Sequence, residues 1–291
     1  MDYLVVRFFS ALLAGTILSQ TGSLIQISTR NILASPSTLG FDGLSIFWIL
    51  IFHSLLLFFG LEDSSLTLVL AGLPLFIITG LIYSSFIKRY QSIEKLILMG
   101  LTFNLFVGAV FSLWQFLFLA FNLPFPVELW FGHFRYSNSD ALLLLSLLEI
   151  VFIIFWFTLR NEFNVFSLGK TVSTNLKLKQ NRLYLFIFVS ISIGTFTVIS
   201  LFGAFSFLGL VFPILARKLW FKRFDLKGEF LLGAFVNGLF LMFIDILCYY
   251  FPIYGAEVPV GLIATGVGAV SLILLLWKSD NRLEILAKTQ K

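Results

Sequence analysis

Two acidic residues, Glu149 and Asp245, lie inside long apolar stretches of the sequence. An ionised carboxylate is costly in lipid, so such a residue usually faces the protein interior, a water-filled cavity or a partner. Both residues are therefore candidates for moving a proton or an ion. The alternative is a structural role: a buried polar group for Glu149, and a hydrogen-bond anchor at the outer end of a helix for Asp245.

The remaining reactive side chains form no recognisable site. His53 and His133 are far apart and have no cysteine or acid at ligand spacing, so we expect no metal site. Cys248 is the only cysteine, which excludes an intrachain disulfide. The sequence contains no catalytic cluster, and it therefore suggests neither an enzyme nor a bound cofactor.

A short sequence, Gly169-Lys170-Thr171, is similar to the end of a phosphate-binding loop. The complete loop needs an earlier glycine, where Asn164 stands here, and a preceding strand, which we do not predict. We therefore expect that this chain does not itself hydrolyse ATP.

The elements that must position these residues are apolar segments long enough to approach the thickness of a bilayer. The composition is 59% hydrophobic and 12% charged, which leaves too few polar groups to cover a water-soluble domain. We predict an all-α, polytopic membrane protein in which residues 1–291 form a single transmembrane domain. About nine spans are expected, near residues 5–28, 43–60, 66–87, 96–120, 139–159, 184–202, 204–219, 230–251 and 258–277.

The cationic residues are sorted among the gaps between these segments. All of the Lys and Arg residues except Arg7 and Arg135 lie in alternate gaps or at the carboxyl terminus. Positive charge marks the cytoplasmic side of a membrane protein, so the amino terminus should lie outside and the carboxyl terminus inside. The same rule accounts for the net charge of +5, and we do not expect nucleic-acid binding.

Glycine and proline interrupt the pattern at two places. The gap at residues 30–43 is rich in Ser and Gly and contains Pro36, and the seventh segment opens at Gly203 and contains Gly209 and Pro213. Interrupted spans of this kind commonly line transport pathways.

The first segment has small residues one helical turn apart, which favour close approach of another helix and a buried position. These residues are Ala11, Gly15, Ser19 and Ser23, with Gly22 alongside.

The longest cytoplasmic gap, at about residues 160–182, mixes five cations with apolar residues. This mixture is typical of short amphipathic helices that lie on the membrane surface or dock onto a cytoplasmic protein. The pattern alone favours neither lipid nor protein contact.

Five ordered motifs resemble those of the FecCD family, the ABC importer permeases for iron chelates, haem and cobalamin. The motifs are residues 15–26 (GTILSQTGSLIQ), 30–40 (RNILASPSTLG), 166–178, 203–217 (GAFSFLGLVFPILAR), and Asp245 together with 257–268 (EVPVGLIATGVG). The departures from the family pattern include Ile32 and Ser35 for Pro and Asp, Lys170 for an acid, Lys177 for Gly, and Ile214 for His.

The resemblance also concerns topology and docking. Family members usually have ten spans, and this sequence aligns from the second, so we expect the first span to be missing. In relatives, two external arginines pair with glutamates of a substrate-binding protein, whereas Leu4 and Tyr249 occupy the matching positions here. Arg7, one helical turn from Leu4, is the candidate substitute.

The resemblance implies a type II ABC importer permease fold in the bacterial cytoplasmic (inner) membrane. The implied partners are cytoplasmic ABC ATPases, a periplasmic or lipid-anchored binding protein, a second permease copy or a similar permease, and membrane lipid. ATPase coupling is assigned to Ser167, Leu168, Gly169, Ser173 and Leu176. Pathway and packing roles are assigned to Gly22, Gln26, Asn31, Pro36, Gly203, Phe207, Gly209, Pro213, Pro259 and Gly261. External docking is assigned to Arg7, Tyr249 and Glu257.

Two other functions stay open. A manganese or zinc ABC permease of related architecture should place His and acids in its pathway, and this chain has two His residues. A secondary transporter that needs no ATPase should have paired ionisable groups within the membrane, for which only Glu149 and Asp245 are candidates.

Overall fold

The computed structural model describes residues 2–60, 65–90, 93–121, 130–167, 175–176, 179–219, 226–253 and 255–289. Within these ranges the chain forms nine α-helices and no β-strand, which confirms the predicted all-α class. The helices are α1 (Tyr3–Thr29), α2 (Phe41–Phe59), α3 (Ser65–Tyr90), α4 (Ile93–Ala120), α5 (Ser139–Ser167), α6 (Gln180–Phe202), α7 (Leu208–Leu219), α8 (Leu226–Tyr250) and α9 (Val260–Thr289).

Each predicted apolar stretch corresponds to one of these helices. Six of the described helices, α1, α3, α4, α5, α6 and α8, are long and apolar enough to cross a bilayer. Helices α2 and α9 contain shorter apolar parts, at Phe41–Leu56 and Val260–Leu274. Helix α7 has only 12 residues, as expected for an interrupted span.

Helix α1 is buried along most of its length and packs against α5, α6, α7 and α8. Its small residues make this possible, as the sequence predicted. A Cβ atom on Gly15 would lie 2.7 Å from the backbone oxygen of Asn237, and one on Gly238 of α8 would lie 2.8 Å from the oxygen of Leu12. The backbones of α1 and α8 therefore touch, and dispersion contacts between them replace the hydrophobic driving force that lipid does not supply.

The segment before α7 is a tight turn rather than a helix. Gly203 has φ +83°, and its N–H donates to the oxygen of Ile199 at 2.8 Å, which ends α6. Phe207 also has a positive φ, +67°, a region that a non-glycine residue rarely adopts. Helix α7 begins at the next residue, so the turn sets its direction.

Pro213 has a specific effect inside α7. Proline has no backbone N–H, so the oxygen of Gly209, four residues earlier, does not receive the hydrogen bond that residue 213 of a regular helix would donate. The Gly209 carbonyl instead lies against Gly22 of α1, in contact closer than any side chain would permit. The two glycines and the proline together bring α7 onto α1.

Aromatic stacking fills the interior elsewhere. Trp156 of α5 lies parallel to Phe230 of α8 with ring centroids 4.0 Å apart, and Phe163 stacks on the same tryptophan at 5.2 Å. Phe76 of α3 stacks on Phe196 of α6 at 3.8 Å. These contacts fix the spacing of α5 to α8 and of α3 to α6.

Candidate functional site

A cluster of charged residues joins three elements at one end of the bundle. Arg7 Nη2 of α1 lies 2.8 Å from Asp245 Oδ1 of α8, and Arg7 Nε donates to both carboxylate oxygens of Asp245 at 3.0 and 3.1 Å. Arg7 Nη1 lies 2.9 Å from Glu257 Oε2, in the loop before α9. One guanidinium therefore pairs with two carboxylates, of which the Asp245 carboxylate is fully buried and would be expensive to bury alone.

Arg7 was expected to offer its charge to an external partner; in the structure its charge is paired within the chain, and the docking role stays a prediction. Its side chain is 2% exposed, and Asp245 and Glu257 occupy its guanidinium nitrogens. The physical reason is local: a cation one turn inside an apolar helix lowers its free energy by pairing with acids of the same bundle.

The two other predicted docking residues lie beside Arg7. The Arg7 guanidinium is 5.0 Å from the centroid of the Tyr249 ring, and the Glu257 side chain is 31% exposed. Tyr3 OH donates to the backbone oxygen of Arg135 at 2.8 Å, which ties the loop before α5 to the same end. A cavity of about 110 Å³ opens here, lined by Arg7, Phe131, His133, Arg135, Glu257, Val258, Pro259 and Val260.

The turn before α7 packs against the start of α9 at this end. Gly261 N–H donates to the oxygen of Gly132 at 2.7 Å, and Gly132 N–H donates to the oxygen of Ala204 at 3.0 Å. A Cβ atom on Gly268 of α9 would lie 3.2 Å from Cβ of Phe207. The structure thus brings together the predicted pathway positions Gly203, Phe207, Pro259 and Gly261.

A second polar cluster lies at the opposite end of α1 and α7. Gln26 Nε2 donates to the oxygen of Leu210 at 3.0 Å, and Arg217 Nη2 donates to Gln26 Oε1 at 2.7 Å. Pro36 Cδ would lie 3.2 Å from a Cβ atom on Gly209. The predicted residues Gly22, Gln26, Pro36, Gly209 and Pro213 therefore form one packed unit. Asn31 lies in the same turn as Pro36 and accepts from Leu33 N–H at 2.9 Å.

Glu149 of α5 faces α1 and is half-buried. Gln20 Nε2 donates to Glu149 Oε1 at 2.6 Å, and Thr16 Oγ1 lies 3.1 Å from Glu149 Oε2. The sequence did not predict these partners. The hydrogen-bond partners of Glu149 and Asp245 lie at different heights along α1: Thr16 for Glu149 and Arg7 for Asp245. The structure therefore does not combine the two acids into one paired site.

The predicted coupling residues are only partly within the described chain. Ser167 is the last residue of α5, and Leu176 is exposed. Leu168, Gly169 and Ser173 lie outside the described residues, so their role stays a prediction. Among the described residues, no group of three or more His, Cys, Asp or Glu side chains is arranged to hold a metal ion.

Apolar spans, backbone contacts between helices and an interrupted helix are typical of a polytopic membrane transport protein. The FecCD transport family matches residues 1–278, and the chain belongs to this family of transport permeases. This agrees with the resemblance carried by the five sequence motifs. The protein is accordingly a multi-pass inner-membrane protein.

Curated relatives are similar over nearly the whole chain. The chain is 26% identical to the "Probable siderophore transport system permease protein YfhA" of Bacillus subtilis (strain 168), over 97% of this chain and 82% of the relative. It is 30% identical to the petrobactin import system permease protein FatD of Bacillus anthracis, over 94% of this chain and 79% of the relative. It is 25% identical to the vitamin B12 import system permease protein BtuC of Vibrio vulnificus (strain CMCP6), over 97% and 83%.

Solved structures support the fold. The structure "An inward-facing conformation of a putative metal-chelate type ABC transporter" superposes with a TM-score of 0.76 at 23% identity, covering 94% of this chain and 85% of that chain. PsaBC from Streptococcus pneumoniae, in complex with Fab, superposes with a TM-score of 0.58 at 14% identity, covering 94% and 91%. At these identities the likeness concerns the arrangement of helices alone.

Proposed function

We propose that this chain is the permease subunit of an ABC importer that moves a chelated metal or a cobalamin-like molecule across the membrane. The observation that carries the proposal is the family match over residues 1–278. Relatives whose names specify siderophore, petrobactin or vitamin B12 transport cover almost the same span. Among these cargoes an iron chelate is favoured, because further relatives are named for iron(3+)-hydroxamate import and for iron uptake.

The transport step proposed is alternating access along a central pathway between this permease and either a second copy of it or a similar permease. ATP binding to two separate cytoplasmic ATPase subunits would push on the coupling segment at about residues 160–182, with Leu168, Gly169 and Leu176 as contacts. A push changes the population of inward-open and outward-open states only to the extent that it favours one of them energetically. The packed unit of α1 and α7 supports this role, because rigid helices transmit a displacement without absorbing it.

The pathway would accept its cargo without binding it tightly. The predicted pathway positions are Gly, Pro, Phe, Asn and Gln, which offer surface and a few hydrogen bonds but no strong metal ligands. A metal that arrives already coordinated by its chelator needs no ligand from the permease. This chemistry suits a bulky chelate better than a bare manganese or zinc ion.

The proposed arrangement in the membrane is a single domain, residues 1–291, with the amino terminus outside and the carboxyl terminus in the cytoplasm. The charge cluster of Arg7, Asp245 and Glu257 would then lie at the outer surface, where a substrate-binding protein docks. Because Arg7 is engaged within the chain, we propose that docking uses the exposed parts of Tyr249 and Glu257 rather than a free arginine.

Affinity purification of the tagged chain from native membranes, followed by mass spectrometry, tests the assembly. We expect an ATPase in stoichiometric amount together with a binding protein. The assembly is then reconstituted in proteoliposomes and supplied with radiolabelled iron bound to a hydroxamate or catecholate siderophore, or with radiolabelled cobalamin. Uptake that requires ATP supports the proposal, and the preferred cargo identifies the substrate. Uptake that proceeds without ATP and without a copurified ATPase would indicate a secondary transporter.

A further inference from the structure

Arg30 occupies an unusual position at the end of α1. It is the residue that terminates the helix, with φ +52° and ψ +29°, and its N–H donates to the oxygen of Ile27 at 3.3 Å. A non-glycine residue in this left-handed conformation is uncommon, and functional sites are one place where such residues occur. The conformation directs the chain away from α1 and into the turn at residues 30–40.

The Arg30 side chain makes two contacts with the end of α5. Its Nη2 donates to the backbone oxygen of Phe166 at 3.2 Å, and its guanidinium carbon lies 5.0 Å from the centroid of the Phe166 ring. Phe166 is fully buried, and the ring of Tyr184 of α6 meets it edge-on with centroids 5.3 Å apart. Phe166 is therefore held on one side by Arg30 and on another by α6.

The location of Phe166 gives these contacts their significance. Phe166 is the second-last residue of α5, directly before Ser167 and the proposed ATPase contacts at Leu168 and Gly169. That segment is joined to the membrane domain by the end of α5 and by the start of α6, so a displacement of it acts directly on the end of α5. Arg30 is attached to this end by a hydrogen bond and by a cation–π contact.

Arg30 is also the first residue of the turn at residues 30–40, and this turn contacts three further helices. Tyr83 OH of α3 donates to the oxygen of Leu39 at 2.7 Å, and Asn104 Nδ2 of α4 donates to the oxygen of Ser37 at 2.6 Å. Pro36 lies against Gly209 of α7. The turn thus connects α3, α4 and the interrupted helix α7 with α5.

The turn is also braced internally. Ser35 N–H donates to Thr38 Oγ1 at 2.8 Å, and Thr38 N–H donates to Ser35 Oγ at 3.2 Å. Phe41 N–H donates to the oxygen of Pro36 at 3.0 Å, which joins the turn to the start of α2. A braced turn moves as a unit rather than deforming, so a force applied at Arg30 reaches Pro36.

We propose that Arg30 is a positioning residue for coupling: it links the end of α5 to the turn at residues 30–40, and through Pro36 to α7. The inference rests on the proposed importer function and adds to it the residue that carries the motion. Energetic coupling is measured directly as the amount of chelate taken up per ATP hydrolysed. Arginine suits this role because its planar group stacks on a ring and donates from several nitrogens, whereas lysine donates from one point.

The test uses the complex of permease, copurified ATPase and binding protein in proteoliposomes, with the radiolabelled chelate that the wild-type complex takes up. Uptake and phosphate release are measured on the same preparation. We expect Arg30→Ala to lower the chelate taken up per ATP hydrolysed by about tenfold, within the usual range of coupling factors, while ATP hydrolysis continues. Arg30→Lys should give an intermediate ratio. Arg89→Ala, which removes a cation near the end of α3, serves as the control and should leave the ratio unchanged.

A double-mutant cycle with Phe166→Leu separates coupling from a general loss of packing. If Arg30 acts through Phe166, the two substitutions together should lower the ratio no further than Arg30→Ala alone. If the Arg30→Ala complex fails to assemble, the chelate taken up per ATP hydrolysed is measured for Arg30→Lys and Arg30→Gln instead. A wild-type ratio in the assembled Arg30 variants overturns the inference and leaves the importer proposal intact. Absence of ATP-dependent uptake by the wild-type complex overturns the importer proposal, and this inference with it.

Discussion

Arg7 and Asp245 stand 238 positions apart in the sequence, and their side chains meet at 2.8 Å inside the bundle. The contact joins the first helix to the eighth at the end where Glu257 provides a second carboxylate. Both members of the pair are almost completely buried. Neither charge could be left there alone without a large desolvation cost, so the two residues stabilise the fold as a unit.

The first prediction concerns this pair. Arg7→Met alone should lower the free energy of unfolding by about 3–5 kcal/mol, because it leaves the buried Asp245 carboxylate without a partner. Asp245→Leu alone should cost less, because Glu257 still pairs with Arg7. The double variant should recover most of that loss, since apolar residues of similar volume can replace a buried ion pair. Thermal unfolding of the purified protein in detergent measures both effects.

Glu257→Gln is the control for the same cluster. The Glu257 side chain is 31% exposed, so solvent screens its attraction to Arg7, and the loss should be no more than about 1 kcal/mol. A double variant that is less stable than both single variants would contradict the pairing of Arg7 with Asp245.

The second prediction tests the contact between α1 and α7. A Cβ atom on Gly22 would overlap the backbone of Gly209, which neither helix can avoid without moving. Gly22→Ala should therefore destabilise the protein by about 1–3 kcal/mol and lower uptake, because overpacking displaces backbone atoms. The measurements are thermal unfolding and uptake in proteoliposomes.

Gly108→Ala provides the matched control. Gly108 is also within a helix, α4, and beyond the adjacent residues and backbone of its own helix no atom of the described residues lies within 4 Å of the position that its Cβ would take. The same chemical change should be neutral there, or stabilising by up to about 1 kcal/mol. Equal effects at the two positions would show that helix propensity, and not the contact with Gly209, governs the result.

The third prediction distinguishes a structural Glu149 from one that moves a proton or an ion. Glu149→Gln keeps an acceptor for Gln20 and gains a donor for Thr16, whose hydroxyl already bonds to the oxygen of Leu13 at 2.7 Å. We expect the free energy of unfolding to stay within about 0.5 kcal/mol of the wild type, as for substitutions that remove no buried partner. We also expect uptake to be unchanged. Glu149→Leu should cost about 1–3 kcal/mol, because Gln20 loses its acceptor. A stable Glu149→Gln variant without uptake would instead assign the carboxylate to transport.

The sequence was sufficient to predict the helices and the interruption before α7. A helix in lipid must satisfy its own backbone hydrogen bonds with apolar side chains, so hydropathy alone indicates where helices lie. Gly203 and Pro213 mark the break in the chain itself, because one permits a positive φ and the other removes a donor. Local chemistry is enough for such features.

The partners of the polar residues could not be predicted in the same way. The sequence suggested an external partner for Arg7 and either a transport role or a helix-end anchor for Asp245, and did not pair them. Which acid meets Arg7 depends on the packing of α1 against α8, which is set by Gly15 and Gly238. The contact of Arg30 with Phe166 was missed for the same reason: the two residues are 136 positions apart, and no local pattern connects them.

The last prediction concerns orientation in the membrane. Residues Tyr3, Arg135 and Glu257 meet at one end of the bundle, and Arg30 and Phe166 meet at the other, so the loops after α1 and α4 lie on opposite sides. The positive-inside rule assigns the Arg30 end to the cytoplasm.

Cys248 is the only cysteine and is buried, so a Cys248→Ser protein provides a background for introduced cysteines. Leu33→Cys and Tyr136→Cys place a thiol in each loop, at side chains that are 43% and 60% exposed.

A membrane-impermeant maleimide applied to spheroplasts should label Tyr136→Cys at once, and should label Leu33→Cys only after the membrane is opened. The expectation follows from the charge distribution. The gap that contains Arg30 carries positive charge, as cytoplasmic loops do. The gap that contains Tyr136 has one cation and one acid, Arg135 and Glu128. Both variants must first retain uptake, so that the label reports the native orientation. Labelling of Leu33→Cys in sealed spheroplasts would invert the topology, and it would also separate Arg30 from any cytoplasmic ATPase.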